Sequence, residues 1–297
     1  MKVDACPLVS IVIPTFNHAR FLGRALQSVL DQTYINWEVI IVDNYSQDNT
    51  DDVVRCFTDP RITLLKIHNN GIIAASRNMG IRAAKGEWIA FLDSDDWWTA
   101  NKLEMCIGGI NNQVDLVYHA LNIVRENASL FKRKRMKSKP LKKPVFVDLL
   151  INGNVIANSS VVVRKKLLDQ IGCIDENPKM IGSEDYNTWL RISQKTDAIF
   201  YLPKYLGFYM VHDHGVSKKN MSFSYECAIA QFIGMLSEPQ RGLVKSMHAY
   251  MGGRYHYINR EYDKAENKLI YCLKSANIGI RLRAMYMLAV IALRRHF

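Results

Sequence analysis

The chain has 297 residues, 48% hydrophobic and 23% charged, which is ordinary globular usage and excludes wholesale disorder. At this length one large α/β domain with a smaller appendage is the expected organisation. A formal charge of +11, from 39 Lys and Arg against 28 Asp and Glu, favours an anionic partner: a phosphorylated substrate, a membrane surface or nucleic acid.

Cys6, Cys56, Cys106, Cys173, Cys227 and Cys272 stand singly with no C-x-x-C pair, which argues against a zinc site or a disulfide framework and fits reduced thiols. After Lys2 and Asp4 the apolar run is about six residues, shorter than the roughly 7–15 of a signal peptide, so a cytoplasmic location is expected.

Val9 to Ile13 is a β-branched run that reads as a strand stopped by Pro14, and residues 18 to 30 then place Phe21, Leu22, Ala25, Val29 and Leu30 at helical spacing. The unit repeats: Trp37 to Val42 reads as a strand ending at Asp43, with a polar loop to Thr50 and a helix around Asp51 to Cys56. Residues 61 to 67 offer a third strand, Ile72 to Ala84 a helix with Ala and Gly on its packing side, and Trp88 to Leu92 an apolar strand ending at Asp93. Continuous apolar strands alternating with helices imply a mainly parallel sheet flanked by helices. Ligands of such sheets bind beyond the carboxyl ends of the strands, so the loops at Pro14, Asp43 and Asp93 should converge on one crevice.

No G-x-G-x-x-G follows the first strand and no G-x-x-x-x-G-K-[ST] occurs anywhere, which counts against NAD-linked hydride transfer and P-loop phosphoryl transfer. In place of glycine amides stands Asp93-Ser94-Asp95-Asp96. Clustered carboxylates repel one another unless a cation compensates, and hard oxygen ligands suit Mg²⁺ or Mn²⁺, which can bridge a diphosphate. Asp96 is expected to cap a helix starting near Trp97, leaving Asp93 and Asp95 to face the ligand.

These segments together resemble the inverting glycosyltransferase family 2 with its GT-A fold. The resemblance rests on Val9 to Asn17, Val42 to Ser46, Ala75 to Gly80, Gly86 to Ile89, Phe91 to Asp96 and Gly182 to Asp185, and covers roughly residues 7 to 216. It implies a nucleoside-diphosphate sugar donor, most often a UDP-sugar, and a divalent metal cofactor, Mn²⁺ or Mg²⁺. Asp43 would then hydrogen-bond the donor's base, and Pro14, Thr15, Asn17, Asn44, Arg77 and Ser94 would line the nucleotide pocket. Asp93 would approach the ribose and metal, Asp95 would ligate the metal, and Asp185 would be the general base, with Glu184 contacting the acceptor.

Inversion needs one group to take the acceptor hydroxyl's proton and another to stabilise the leaving diphosphate. Burial beside Glu184 is expected to raise the pKa of Asp185 and keep it competent near neutral pH. Read without the family, Glu184-Asp185 is a helix start capped by Ser183, with Trp189, Leu190 and Ile192 packed inward. Phe208 to Ser217 resembles the family's closing segment, in which His212 is the candidate to reach the metal and His214 a weaker one. Met210 stands where relatives commonly have arginine, a contact that Lys218 or Lys219 would have to supply.

Eight basic residues crowd Lys132 to Lys143 around Pro140. With only Phe131 beside them they do not make a nucleic-acid surface, and a solvated loop or contact with anionic lipid headgroups remains. Beyond about residue 220 the chain reads as helices over Met251 to Ile258, Tyr262 to Ala276 and Ile280 to Leu293, in which Tyr257, Tyr262 and Ala265 faintly resemble one tetratricopeptide pair. Ala284 to Leu293 is too short to span a bilayer and is expected to pack on the preceding helices or lie in an interface.

The expectation is therefore a GT-A domain over residues 1–219 and a helical region over 220–297. Its function is metal-dependent transfer of a sugar to a glycan or lipid-linked acceptor in surface-polysaccharide synthesis, in the cytoplasm or at the inner membrane face. Nothing in the sequence excludes a homo-oligomer. A noncatalytic scaffold would have no need to keep Asp43, Asp93, Asp95 and Asp185 together, and a nucleotidyltransferase would need a phosphate-cradling glycine loop that Pro14 to Asn17 does not provide.

Overall fold

The first strands are apolar on both sides because helices cover both faces of the sheet, and the alternation is visible residue by residue. The computed structural model describes residues 6–110, 113–126, 134–136, 138–212 and 220–295. In β1 (Val9–Thr15) and β2 (Trp37–Asp43), Ile11, Ile13, Val39 and Ile41 point to one face, where α1 (Ala19–Leu30) contributes Leu22, Leu26 and Val29. Val12, Ile40 and Val42 point to the other, toward α3 (Ile73–Ala83) with Ala74 and Ile81. Between them come α2 (Thr50–Arg55) and β3 (Ile62–Lys66), followed by β4 (Trp88–Phe91). A side chain at Gly80 would place its Cβ 2.5 Å from Val12 Cγ1, so α3 lies this close to β1 only because that position is glycine.

Pro14 does not end β1; the strand pairs with β2 as far as Thr15 opposite Asp43. Along β1, Val12 bonds toward β4 and Thr15 toward β2, so Pro14 falls on the β4 side, where pairing stops at Val12 opposite Phe91. A residue without an N–H costs nothing at that point of the ladder.

Trp97–Trp98 is likewise not the start of a helix but a short strand, β5, and the next helix is α4 (Lys102–Gly108). The tryptophans pair antiparallel with the long β9 (Ile199–Val211), a partner about 110 residues away that no local pattern reveals. Between them lie β6 (Leu116–Arg125), β7 (Lys134–Arg135), α5 (Val145–Asn152), β8 (Val162–Arg164), α6 (Lys165–Gln170) and α7 (Glu184–Ser193). The sheet order is β3-β2-β1-β4-β8-β6-β9-β5 with β7 on β6; β3, β2, β1 and β4 run parallel, and β8 inserts antiparallel between β4 and β6.

The tail is α8 (Ser222–Ile229), α9 (Glu238–Ile258), α10 (Tyr262–Cys272) and α11 (Ile278–Arg295). Tyr225, Ala228, Ile229, Phe232 and Val244 join Leu149, Tyr186 and Trp189 in the main core, so packing continues past residue 219. A second, smaller core of Ala265, Leu269, Cys272, Ile280, Ala284 and Ile291 ties the last helices together.

Candidate functional site

Three loops meet at the carboxyl ends of β1, β2 and β4, and the amino end of α7 closes on them from the far face of the sheet. The loop after β2 is held by its own residues. Asp43 is fully buried; its carboxylate accepts from the amide and hydroxyl of Ser46 and from Lys66 Nζ at 2.8 Å. Asn17 and Asn44 act as clamps: Asn17 Oδ1 accepts from the Gln47 amide at 2.8 Å, and Asn44 Oδ1 from the Asn69 amide at 2.9 Å. Thr15 is buried, and its hydroxyl has no hydrogen-bond partner among the described residues. Tyr45 takes a left-handed φ of 51° and stacks its ring on His68 at 3.9 Å.

The acidic loop after β4 is stitched from several sides. Asp93 Oδ1 accepts from Arg77 Nη2 at 2.7 Å and from Asn158 Nδ2 at 3.0 Å, while the Asp93 amide donates to Ser159 Oγ. Ser94 is buried with its hydroxyl 2.9 Å from His18 Nδ1. His212 Nε2 lies 3.0 Å from Asp95 Oδ2, and the His18 and His212 rings meet edge to face at 5.6 Å. Burial, reinforced by Asp93, raises the pKa of Asp95, against the pull of His18 and His212. Asp96 accepts from the Met210 amide at 2.9 Å and caps no helix; burial, with Asp95 and Asp93 beside it, holds its carboxyl well above the usual range.

Arg77 does not stand exposed in the crevice. It is buried, and its guanidinium spans from Asp93 to Glu184, with Nη1 2.6 Å from Glu184 Oε1. Burial alone would lower its pKa, but the two carboxylates reverse this and hold it charged. Glu184 is likewise buried, with Oε2 accepting from the Gly182 amide. A buried guanidinium requires its carboxylates, and this one takes both. Ser183 occupies the cap position of α7, but its hydroxyl pairs with Ser224 instead of the helix.

Of the two acids that open α7, Asp185 lacks the cationic partner that Glu184 has in Arg77. It accepts from the Tyr186 amide at 2.6 Å and, weakly, from Asn154 Nδ2 at 3.3 Å. Burial and then the charge of Glu184 push it up to about 7, with Arg77 opposing. A carboxylate with that pKa is poised to exchange a proton near neutrality.

Met210 packs in a small apolar cluster with Phe21 and Val124 and so offers nothing to a phosphate. Lys218, Lys219 and His214, and Lys132, Arg133 and Lys137 of the basic run, lie outside the described residues. Sequence reasoning missed His18, whose only signal was its place in the loop after β1. It also missed Asn154, Asn158 and Ser159, which sit in a stretch with no periodicity or motif.

Among the described residues no group of three His, Cys, Asp or Glu side chains is arranged to hold a metal. The donor chemistry that is present, two carboxylates on one loop with an imidazole on the second, fits Mg²⁺ or Mn²⁺ held by one or two carboxylates plus substrate phosphates. It does not make an all-protein cage.

The sequence model of glycosyl transferase family 2 matches residues 10–172. The Escherichia coli UDP-Glc:alpha-D-GlcNAc-diphosphoundecaprenol beta-1,3-glucosyltransferase WfgD is 36% identical over 186 residues, covering 62% of this chain and 69% of the relative. Staphylococcus aureus TarS 1-349, solved with UDP-GlcNAc, superposes with a TM-score of 0.64 at 17% identity, covering 96% of this chain and 88% of the other. The mannosyltransferase PcManGT of Pyrobaculum calidifontis, solved with GDP-Man and Mn²⁺, gives a TM-score of 0.63 at 18% identity over 99% of this chain and 82% of the other. The last two establish a shared GT-A fold.

Proposed function

The chain belongs to glycosyl transferase family 2, and from that premise we propose that it transfers a sugar with inversion from a UDP-sugar to a hydroxyl of a lipid-linked glycan in surface-polysaccharide assembly. The uridine donor follows the UDP-Glc in the name of the E. coli relative and the UDP-GlcNAc bound to TarS. The lipid-linked acceptor follows the diphosphoundecaprenol in the name of the same relative. The single observation that carries the chemistry is the position of Asp185 in the first turn of α7, beside Glu184, which Arg77 ties to Asp93 at the end of β4; burial and Glu184 push its pKa up to about 7.

In this reading the acceptor hydroxyl gives its proton to Asp185 as its oxygen bonds to the anomeric carbon, and the bond from that carbon to the diphosphate oxygen breaks on the opposite face. Thr15 contributes a buried hydroxyl at the nucleotide end, and Ser46 and Lys66 hold Asp43 toward the base. Asp93 and Asp95 would hold a Mn²⁺ or Mg²⁺ ion, which neutralises charge on the departing diphosphate when bound. His212 orients Asp95, and Arg77 keeps Asp93 and Glu184 in register across the sheet.

Isothermal titration of UDP with and without Mn²⁺, on the wild type and on Asp95→Ala, tests the donor half: binding should need the metal and vanish in the variant. Asp185→Asn tests the base. It should leave UDP affinity intact and lower kcat by about 10²–10⁴-fold. Undiminished turnover in Asp185→Asn would assign the proton to another group.

A further inference from the structure

The last helix carries two faces of which the core uses only one. Ile280, Ala284 and Ile291 of α11 are buried against α9 and α10. On its other side Ile278, Leu282, Met285, Tyr286 and Leu293 are 60%, 59%, 51%, 68% and 60% exposed. At about 100° per residue these five fall within an arc of about 100° opposite the buried stripe. Arg281 flanks one side of the arc, and Arg283 and Arg294 the other; the helix has no acidic residue. Scattered exposed apolar residues need no explanation, but five in one arc bordered by cations on both sides form a surface with a direction.

We propose that this outer face of α11 docks in the plane of an anionic bilayer, its apolar arc entering the acyl boundary and its arginines pairing with lipid phosphates. No helix of the described residues is long and apolar enough to cross a membrane, so the contact is interfacial. Charge selects this occupant over a second copy of the chain. A two-fold contact through α11 would bring Arg281, Arg283 and Arg294 against the same arginines of the second copy, and α11 has no carboxylate of its own to offset them. An anionic headgroup layer instead meets every cation on the face, and Arg294 is already steadied at its flank by the Tyr262 hydroxyl. The docking does not depend on the acceptor being lipid-linked.

The test is co-sedimentation of the full chain with vesicles of phosphatidylcholine alone or with phosphatidylglycerol added. The wild type should pellet with the anionic vesicles and remain in solution with the neutral ones. Leu282→Asp with Tyr286→Asp should lower partitioning more than about tenfold, and Arg281→Ala with Arg283→Ala should lower it by a similar factor on anionic vesicles. All these side chains are exposed, so thermal unfolding and UDP binding should match the wild type in both variants, which separates loss of docking from loss of fold or of the donor site. A wild type that stays in solution with phosphatidylglycerol vesicles overturns the proposal, as does undiminished binding by the aspartate variant. A wild-type dimer in sedimentation velocity that the aspartate variant dissociates, without vesicle binding, would give the face to a second copy.

Discussion

Arg77 on α3 and Lys102 on α4 are cations buried on opposite faces of one sheet, yet only Arg77 has acidic partners. Arg77 bonds Asp93 and Glu184 and stays charged; Lys102 Nζ has no hydrogen-bond partner among the described residues and sits 3.7 Å from the centroid of the Trp98 ring. Burial pushes Lys102 down to about 8, and burial together with Lys102 pushes neighbouring His119 down to about 3. Equal burial thus leads to opposite shifts, because what decides a buried cation's state is whether a carboxylate is placed to receive it. Near the crevice the protein spends two acids on holding one guanidinium, and in doing so it joins the acidic loop to the helix that carries Asp185. Behind α4 an aromatic face and a neutral imidazole surround the amine.

The contrast breaks most visibly at Arg77. Arg77→Met strands Asp93 and Glu184 without their cation and should cost about 3–5 kcal/mol in denaturant unfolding at pH 7. A loss below about 1 kcal/mol would mean that the carboxylates do not depend on the guanidinium. Lys102→Met should act in the opposite direction. A lysine displaced from 10.5 to about 8 carries a penalty of about 3 kcal/mol in its charged form, against about 1 kcal/mol of lost contact with the ring. The sign follows from linkage: below pH 8 both states are protonated and the folded state bears the full penalty, which fades as pH rises from 8 toward 10.5. The variant should therefore be more stable by about 2 kcal/mol at pH 7 and lose that advantage by about pH 10, as read from urea midpoints.

Asp185 sharpens the comparison on a smaller scale, since Arg77 lowers its pKa only in part and leaves it at about 7. A base acts deprotonated, so kcat/KM should be level above pH 7 and fall about tenfold per pH unit below it. An inflection near 4 instead would show that the carboxyl is solvated as an ordinary surface acid.

The sheet from β1 to β4 and its helices could be read from the chain because the strands are short and mostly apolar and β1, β2 and β3 each lead into a helix. The motif at Asp93 to Asp96 was equally plain as a cluster of like charge. Trp97 was misread because its strand state comes from pairing with Phe208 on β9, and β8 and β6 likewise join the sheet through strands far away in sequence. The start of α9 was legible and passed over. Ser237 and Gln240 form a capping box, with Pro239 in the first turn, so the helix begins at Glu238 and not near Met251.

Residue types and local order by themselves determined that this chain builds a parallel α/β sheet, where its strand-end loops fall, and which carboxylates cluster there. These follow from periodicity and like-charge repulsion, which are properties of neighbours along the chain. Only the tertiary structure decided what each acid is bonded to. It joined Arg77 to Glu184 and Asp93 in a buried strut, set His18 and His212 around Asp95, and left Asp185 with a raised pKa. Those outcomes depend on desolvation and on distances between groups up to 117 residues apart, quantities that exist only once the chain has folded.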